Sequence, residues 1–483
     1  MISSRYYSVQ KNILEILSKV YGHKEFRGRQ REIIEHVISG KHALTIMPTG
    51  SGKSLLYQIP ALMFEGLTVV ISPLIALMKD QVDALQKKGV DAVYINSSLS
   101  KKEREKRYAR LSEGAYKLLY VTPERFRKKE FVDIISRREI SLLAVDEAHC
   151  ISEWGHDFRP DYTRLAAFRK MMGQPLTIAL TATATPDVQK DIIRQLNIRE
   201  EEITLFHEGI ERPNLSLKNI GLWGDEEKKK VILDILREHK GSGIIYFTLI
   251  KDLERMSEIM HAAGVRHSTY HGNLEMDQRK KVQNRFMSGK NMIILATNAF
   301  GMGIDKEDIR FVIHAQVPGS LESYYQEIGR AGRDGKSSVC ALLYDQQDLN
   351  IHLEFIRWNN PDAEFYDRAY NLLRYDNERV NGEGLEWFKE QLTYKNRRDY
   401  RAETVLNILD RYGVIEGSIE TKNIRVVAEL PANLSDQDYL DQKKEREQKK
   451  LYHMMRYAQI ESGHKEYIHS YFGIGRALAD FED

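Results

Sequence analysis

The 483-residue sequence predicts an α/β protein with two parallel-sheet domains in tandem and a mostly helical C-terminal region. Three observations carry that expectation. Strand-like runs (LTVVISP, KLLYVTP and LTIALTAT, then GIIYF, NMIILAT and RFVIHA) form two series, each alternating with segments of helical periodicity. The run MPTGSGKS, Met47–Ser54, sits between an apolar strand pattern and a helical one. VDEAH, Val145–His149, closes a further apolar strand.

The first run has the strand, loop and helix context of a phosphate-binding loop. Thr49, Gly50, Ser51 and Gly52 form its bend, and the two glycines let several backbone N–H groups turn toward phosphate oxygens. Lys53 supplies a point charge to the β- and γ-phosphates, and Ser54 a hydroxyl to Mg²⁺. Met47 stands where the GxxxxGK[ST] pattern has its first glycine. In VDEAH, Leu142, Leu143 and Ala144 read as a buried strand that delivers two carboxylates to a sheet edge, where open α/β sheets bind ligands. Asp146 is placed to hold magnesium, Glu147 to orient and deprotonate water, and His149 to link that site to a moving part. An exposed acidic turn would explain neither the strand nor the partner loop.

The length suits roughly three domains by the usual size range. Composition is 42% hydrophobic and 29% charged, with no apolar run long enough to cross a bilayer and no signal-peptide pattern in MISSRYYSVQ. The expectation is a cytoplasmic enzyme without a membrane partner, nucleoid-associated if bacterial. A net charge of +2 gives no global basic field, so any nucleic-acid site must be local. Cys150 and Cys340 belong to no CxxC pattern, which leaves neither a disulfide framework nor a cysteine-rich zinc site.

The second series matters because a triphosphate held by one lobe needs its transition-state charge neutralised, and an arginine from another lobe does so while tying hydrolysis to closure. QEIGRAGRDG offers Arg330 and Arg333, three apart on one face if helical, with Gly329 and Gly332 permitting close approach.

The ordered set resembles superfamily 2 helicases and, in its details, the RecQ family of DNA helicases over about residues 10–345. Beyond the two runs above, the resemblance rests on FRGRQ (Phe26–Gln30), VISPLIALMKDQV (Val70–Val82), YVTPERF (Tyr120–Phe126), LTATAT (Leu180–Thr185), RPNL (Arg212–Leu215), YHGNL (Tyr270–Leu274) and the aromatic-rich HCISEWGHDFRPDY (His149–Tyr162). It implies two RecA-like domains, at 1–208 and 209–345, and ATP with Mg²⁺ as the fuel. It also implies 3′ to 5′ movement on single-stranded DNA and unwinding of branched or tailed duplex DNA in recombination, repair or replication restart. A translocase or recruitment subunit that grips nucleic acid without separating strands is the alternative. By the same resemblance Arg27 and Gln30 recognise adenine, although the family's FRPGQ reads FRGRQ here. Trp154, Phe158 and Arg159 sense single-stranded DNA, which fits the sequence-tolerant stacking of aromatic rings on unpaired bases. Arg330 and Arg333 match the arginine-finger motif, with Arg333 the preferred finger. Ser72 with Pro73 and Thr122 with Pro123 end strands in positions suited to backbone contact with one DNA strand, and Asp305 with the backbone of Thr297 and Asn298 is expected where the second lobe meets DNA phosphate and nucleotide, all as phosphate-positioning groups with little sequence preference.

Residues 346–483 depart from the family pattern of a zinc-bearing helical platform, since no cysteine follows Cys340. KKLYHMMRYAQIESGHKEYIHSYFG (Lys449–Gly473) resembles the helix entering that zinc site, with Gly463 at the first cysteine position. The expectation is a platform without metal, in which His453, His464 and His469 are surface histidines. An insertion at about 360–438 reads as three helices (Phe365–Tyr375, Gly384–Leu392, Tyr400–Tyr412) and then VIEGSIE and IRVVAEL, a pattern suggesting a winged helix. Lys395, Arg397, Arg398 and Arg401, beside Tyr394 and Tyr400, are candidates for duplex phosphates or simply a charged helix face. KKEREQKK (Lys443–Lys450) reads as a solvated helix face.

Overall fold

A computed structural model describes residues 13–152, 160–209, 212–301, 304–393 and 399–474. The first lobe is a seven-stranded parallel sheet in the order β3-β4-β2-β5-β6-β1-β7. Its strands are β1 (His42–Ile46), β2 (Leu67–Ile71), β3 (Ala92–Ile95), β4 (Leu118–Val121), β5 (Ile140–Val145), β6 (Leu176–Thr181) and β7 (Ile203–His207). Helices cover both faces of such a sheet, so its central strands are continuous apolar runs. LTVVI of β2 is buried at every residue.

The second lobe is a six-stranded parallel sheet in the order β10-β11-β9-β12-β13-β8. It comprises β8 (Leu215–Gly221), β9 (Ser242–Tyr246), β10 (Ser268–Tyr270), β11 (Ile293–Ala296), β12 (Ile309–His314) and β13 (Ser338–Tyr344). Two RecA-like parallel-sheet domains followed by a helical region are therefore present, as the alternation of strand and helix patterns predicts.

Register brings the first-lobe motifs to one edge. β6 lies between β1 and β5, with Ile46 opposite Thr181 and Val145 opposite Ala179. The loops after β1, β5 and β6 consequently emerge side by side at the carboxyl ends of the strands, where this fold binds ligands. β2 pairs with β5, Ile71 opposite Val145, so Ser72 emerges next to Asp146.

The helices used below, numbered in chain order, are α1 (Gln30–Ile38), α2 (Leu55–Met63), α3 (Leu321–Ile328), α4 (Asp348–Asn359), α5 (Ala363–Tyr375), α6 (Asn377–Glu383), α7 (Leu385–Thr393), α8 (Arg401–Tyr412), α9 (Gln437–Gln459) and α10 (His464–Tyr471). Helices α5 to α8 and a hairpin of β14 (Ile415–Glu416) with β15 (Arg425–Val426) close on a core that includes Phe365, Phe388, Val405 and Leu409. Four helices stand where the sequence pattern suggests three. α6, NERVNGE, buries only Val380, too little for a visible helical period, and Gly384 at φ 82° separates it from α7.

α9 and α10 merge with the core of the second lobe. Tyr457, Tyr467, Tyr471 and Phe472 share one apolar cluster with Tyr324, Tyr325 and Ile328 of α3. Gly463, at φ 72°, is the residue before α10 and adopts the left-handed conformation that glycine tolerates. His453 and His464 belong to this aromatic packing, at 5.4 Å from the Tyr471 ring and 5.8 Å from the Tyr457 ring. Among the described residues no helix is long and apolar enough to cross a membrane, and no three His, Cys, Asp or Glu side chains gather as a metal site.

Candidate nucleotide and nucleic-acid site

The loop after β1 turns through Gly50 and Gly52, at φ 81° and 80°. Both glycines are required by what lies against them. A β-carbon on Gly52 would sit 2.7 Å from Gln30 Nε2, and one on Gly50 3.2 Å from Arg333 Cδ of the second lobe. Gln30 ties the start of α1 to this loop, its Nε2 donating to Ser51 O at 2.7 Å while its Oε1 accepts the Arg27 N–H at 3.0 Å. Thr49–Ser54, Arg27, Gln30, Asp146, Glu147, Asp305, Arg330 and Arg333 line one cleft of about 520 Å³ between the lobes.

Lys53 is half-buried in that cleft and donates to Met47 O at 3.1 Å. Burial lowers its pKa, and the charges of Glu147 and Asp146 work against that shift. Burial and the neighbouring Glu147 push Asp146 up to about 7, with Lys53 opposing. A magnesium ion would fit the oxygens of Ser54 and Asp146, hard donors beside a cationic lysine. Glu147 holds a left-handed backbone, φ 49°, a conformation that costs a non-glycine residue of order 1–3 kcal/mol and persists where surrounding structure enforces it.

A relay leads from Glu147 across the lobes. His149 Nδ1 lies 3.3 Å from Glu147 Oε2 and 2.9 Å from Thr181 Oγ1. Thr181 Oγ1 donates to Thr183 O at 3.1 Å, and Thr183 Oγ1 accepts from Gln326 Nε2 of α3 at 3.3 Å. Just beyond α3 the chain reaches the two arginines. Arg333 pairs with Asp305 at 2.5 Å and its side chain is 8% exposed. Arg330, also in the cleft lining, donates to Gly301 O of its own lobe. The Nε atoms of both arginines are buried without a hydrogen-bond partner among the described residues, as expected of donors that face an anion. Arg212 supports their turn by donating to Gly329 O at 3.2 Å, Ala331 O at 2.6 Å and Gly332 O at 3.0 Å.

Two residues expected along the DNA path also border the nucleotide site. Asp305 faces the nucleotide cleft because Arg333 draws its carboxylate there. Ser72 is 2% exposed and its Oγ points to Asp146 Oδ2 at 3.4 Å, because β2 and β5 end in register. Pro73, Thr122 and Thr297 are largely buried at strand ends, so what they can offer a strand is chiefly backbone. Trp154, Phe158 and Arg159, like Arg397 and Arg398, lie outside the described residues. Motif position alone does not assign Thr183 and Gln326 to the relay. YYQEIGR does carry Gln326 one turn before the arginines, and that spacing was the available signal.

Two parallel-sheet lobes in tandem with a phosphate loop, paired carboxylates and a trans-lobe arginine define the motor of a two-lobed helicase. Residues 27–192 match the DEAD/DEAH box helicase family and residues 227–335 the helicase conserved C-terminal domain. The chain is 48% identical over 339 residues to the ATP-dependent DNA helicase RecQ of Bacillus subtilis, covering 70% of this chain and 56% of that one. It is 39% identical over 368 residues to the probable ATP-dependent DNA helicase RecS of the same organism, covering 76% and 73%. The chain belongs to the RecQ family. It spans little more than half the length of the RecQ relatives. Among solved structures, the helicase MrfA bound to DNA superposes with a TM-score of 0.56 at 16% identity, over 87% of this chain and 59% of that one. The Mycobacterium smegmatis helicase Lhr bound to single-stranded DNA and AMP-PNP gives 0.52 at 17%, over 89% and 59%. These last two establish the fold.

Proposed function

We propose that the protein is an ATP-dependent DNA helicase that moves 3′ to 5′ on single-stranded DNA and opens tailed or branched duplexes, with recombination, repair or replication restart as its setting. The observation that carries this reading is Arg333 of the second lobe lying against Gly50 in the cleft that also holds Lys53, Asp146 and Glu147.

In this mechanism the loop amides and Lys53 hold the β- and γ-phosphates, and Arg27 and Gln30 hold the adenine. Magnesium, when bound by Ser54 and Asp146, neutralises phosphate charge. Glu147 orients a water and accepts its proton. Arg333 meets the charge that develops on the transferred phosphoryl group, a contribution of about 10³–10⁵ in rate for arginine fingers. Since Arg333 and Gln326 leave with the second lobe, hydrolysis depends on closure, and the Glu147–His149–Thr181–Thr183–Gln326 relay reports that closure to the carboxylate. The backbone at Pro73, Thr122 and Thr297 and the aromatic segment around Trp154, Phe158 and Arg159 grip one strand. Arg397 and Arg398 are assigned to duplex phosphates, on an insertion whose helices and hairpin suit a winged helix.

The test compares ATP hydrolysis with single-stranded DNA, duplex DNA, RNA and no polymer, alongside unwinding of a tailed duplex, with Lys53→Ala as the inactive control. Stimulation by single-stranded DNA and unwinding of a 3′-tailed substrate are expected. DNA-stimulated hydrolysis without unwinding would leave a translocase and reject the helicase.

A further inference from the structure

A second bridge leaves the first lobe far from the nucleotide. Arg127 ends the short turn Pro123–Arg127 that follows β4. Its guanidinium grips Asp161 with two parallel bonds, Nε to Oδ1 at 2.5 Å and Nη2 to Oδ2 at 2.7 Å. Nη2 also donates to the backbone carbonyl of Arg411 at 2.5 Å. Asp161 belongs to the turn Pro160–Arg164, directly after the aromatic segment, and its side chain is 6% exposed. Arg411 lies in the last turn of α8, where unpaired carbonyls and the negative end of the helix dipole favour a cation. Gly413 follows at φ 71°, and a β-carbon there would sit 2.8 Å from Arg127 Nη1. Glycine thus serves both the left-handed helix end and the approach of the guanidinium.

The bridge joins parts that belong to different lobes. α8 packs on α4, and α4 with α9 carries the insertion, while α9 packs on α3 and on the second sheet. The cleft is shut in this arrangement, with Arg333 against Gly50 and Gln326 bonded to Thr183. A rotation that draws Arg333 away from Gly50 must either break the Arg127–Arg411 bond or drag the insertion off its own support.

We infer that Arg127 is a positioning residue that latches the C-terminal insertion onto the first lobe in the shut state, and so strengthens nucleotide binding from a distance. A contact made in one of two states shifts their balance by its differential free energy, and a nucleotide that selects the shut state gains the same factor. The inference rests on the ATP-driven closure proposed above. A bidentate grip plus a carbonyl uses the planar fork of arginine, so lysine replaces it only in part.

The test uses the full chain with a single-stranded oligonucleotide, a fluorescent non-hydrolysable ATP analogue and a dye pair with one dye on each lobe. Arg127→Met, which keeps the stem, and Gly413→Ala, which presses on the guanidinium from the other side, should each weaken analogue binding about three- to tenfold and lower the shut fraction. Arg127→Lys should fall between them and the parent chain. Oligonucleotide affinity measured without nucleotide should stay within about twofold, since the latch acts on closure. Analogue binding equal to the parent in both variants would overturn the latch, as would weakened binding at an unchanged inter-lobe distance. If the parent chain shows no DNA-stimulated hydrolysis the motor reading itself fails, whereas normal hydrolysis with silent variants rejects the latch alone.

Discussion

The nucleotide cleft and the junction between the second lobe and the C-terminal helices are both buried and polar, and they are built on opposite terms. In the cleft, burial lowers the pKa of Lys53 and lifts Asp146 to about 7, Glu147 sits in a left-handed backbone, and two arginine Nε atoms have no acceptor among the described residues. In the junction the tyrosine hydroxyls have partners. Tyr457 donates to Tyr324 Oη at 3.2 Å, Tyr471 to Glu322 Oε1 at 2.9 Å and Tyr467 to His453 O at 3.3 Å. The cleft stores unmet electrostatic demand where a triphosphate and a moving lobe can answer it. The junction pairs these tyrosine hydroxyls within itself, which ties α9 and α10 to α3.

The sharpest way to break this contrast is to cut the relay that links the two. Gln326→Ala removes the bond to Thr183 while leaving Arg333 and the phosphate loop in place. DNA-stimulated hydrolysis should fall about tenfold, in the range of coupling energies carried by such networks, with analogue affinity nearly unchanged. A steady-state assay paired with analogue titration separates the two quantities, and equal losses in both would assign Gln326 to nucleotide binding.

A smaller effect is expected in the junction. Tyr457→Phe deletes one buried hydroxyl bond and should cost about 1 kcal/mol of stability without altering the affinity for ATP. Thermal melting in a zinc-specific chelator should leave the midpoint of the parent chain unmoved if aromatic packing suffices to hold α9 and α10. A chelator-sensitive midpoint would contradict that account.

The smallest effect is a pH dependence at His352. Burial lowers its pKa while its bond with Val317 O, at 2.5 Å, works the other way. A folded value below the unfolded 6.5 favours the neutral ring, so its contribution to stability is full above about pH 6.5 and is lost as pH falls through the folded value, at no more than about 1.4 kcal/mol per pH unit. The melting difference between the parent and His352→Gln should therefore shrink on acidification from pH 7 to 5. A difference that stays constant would remove the histidine from the balance.

Much of this was legible in the residues themselves. Runs such as LTVVI and SLLAV announce doubly covered strands, and MPTGSGKS with VDEAH marks which strand ends carry the chemistry. Other features depend on neighbours that no local pattern encodes. The motif places the backbone of Ser72 at a strand end, and only the register with β5 shows that its hydroxyl turns to Asp146. Asp305 follows GMGI, a context that does not reveal its pairing with Arg333. α6 has one buried apolar residue and so no period to detect. The Arg127 bridge spans 284 positions in the chain, and neither partner sits in a motif.

In the proposed cycle, hydrolysis is completed by Arg333 reaching across to the triphosphate held by the first lobe. The most direct measurement is single-turnover ATP hydrolysis by Arg333→Ala with saturating single-stranded DNA, alongside binding of a non-hydrolysable analogue. A hydrolysis rate lower by about 10³ or more is expected, with analogue binding changed only a few-fold. Hydrolysis within a few-fold of the parent chain would contradict it.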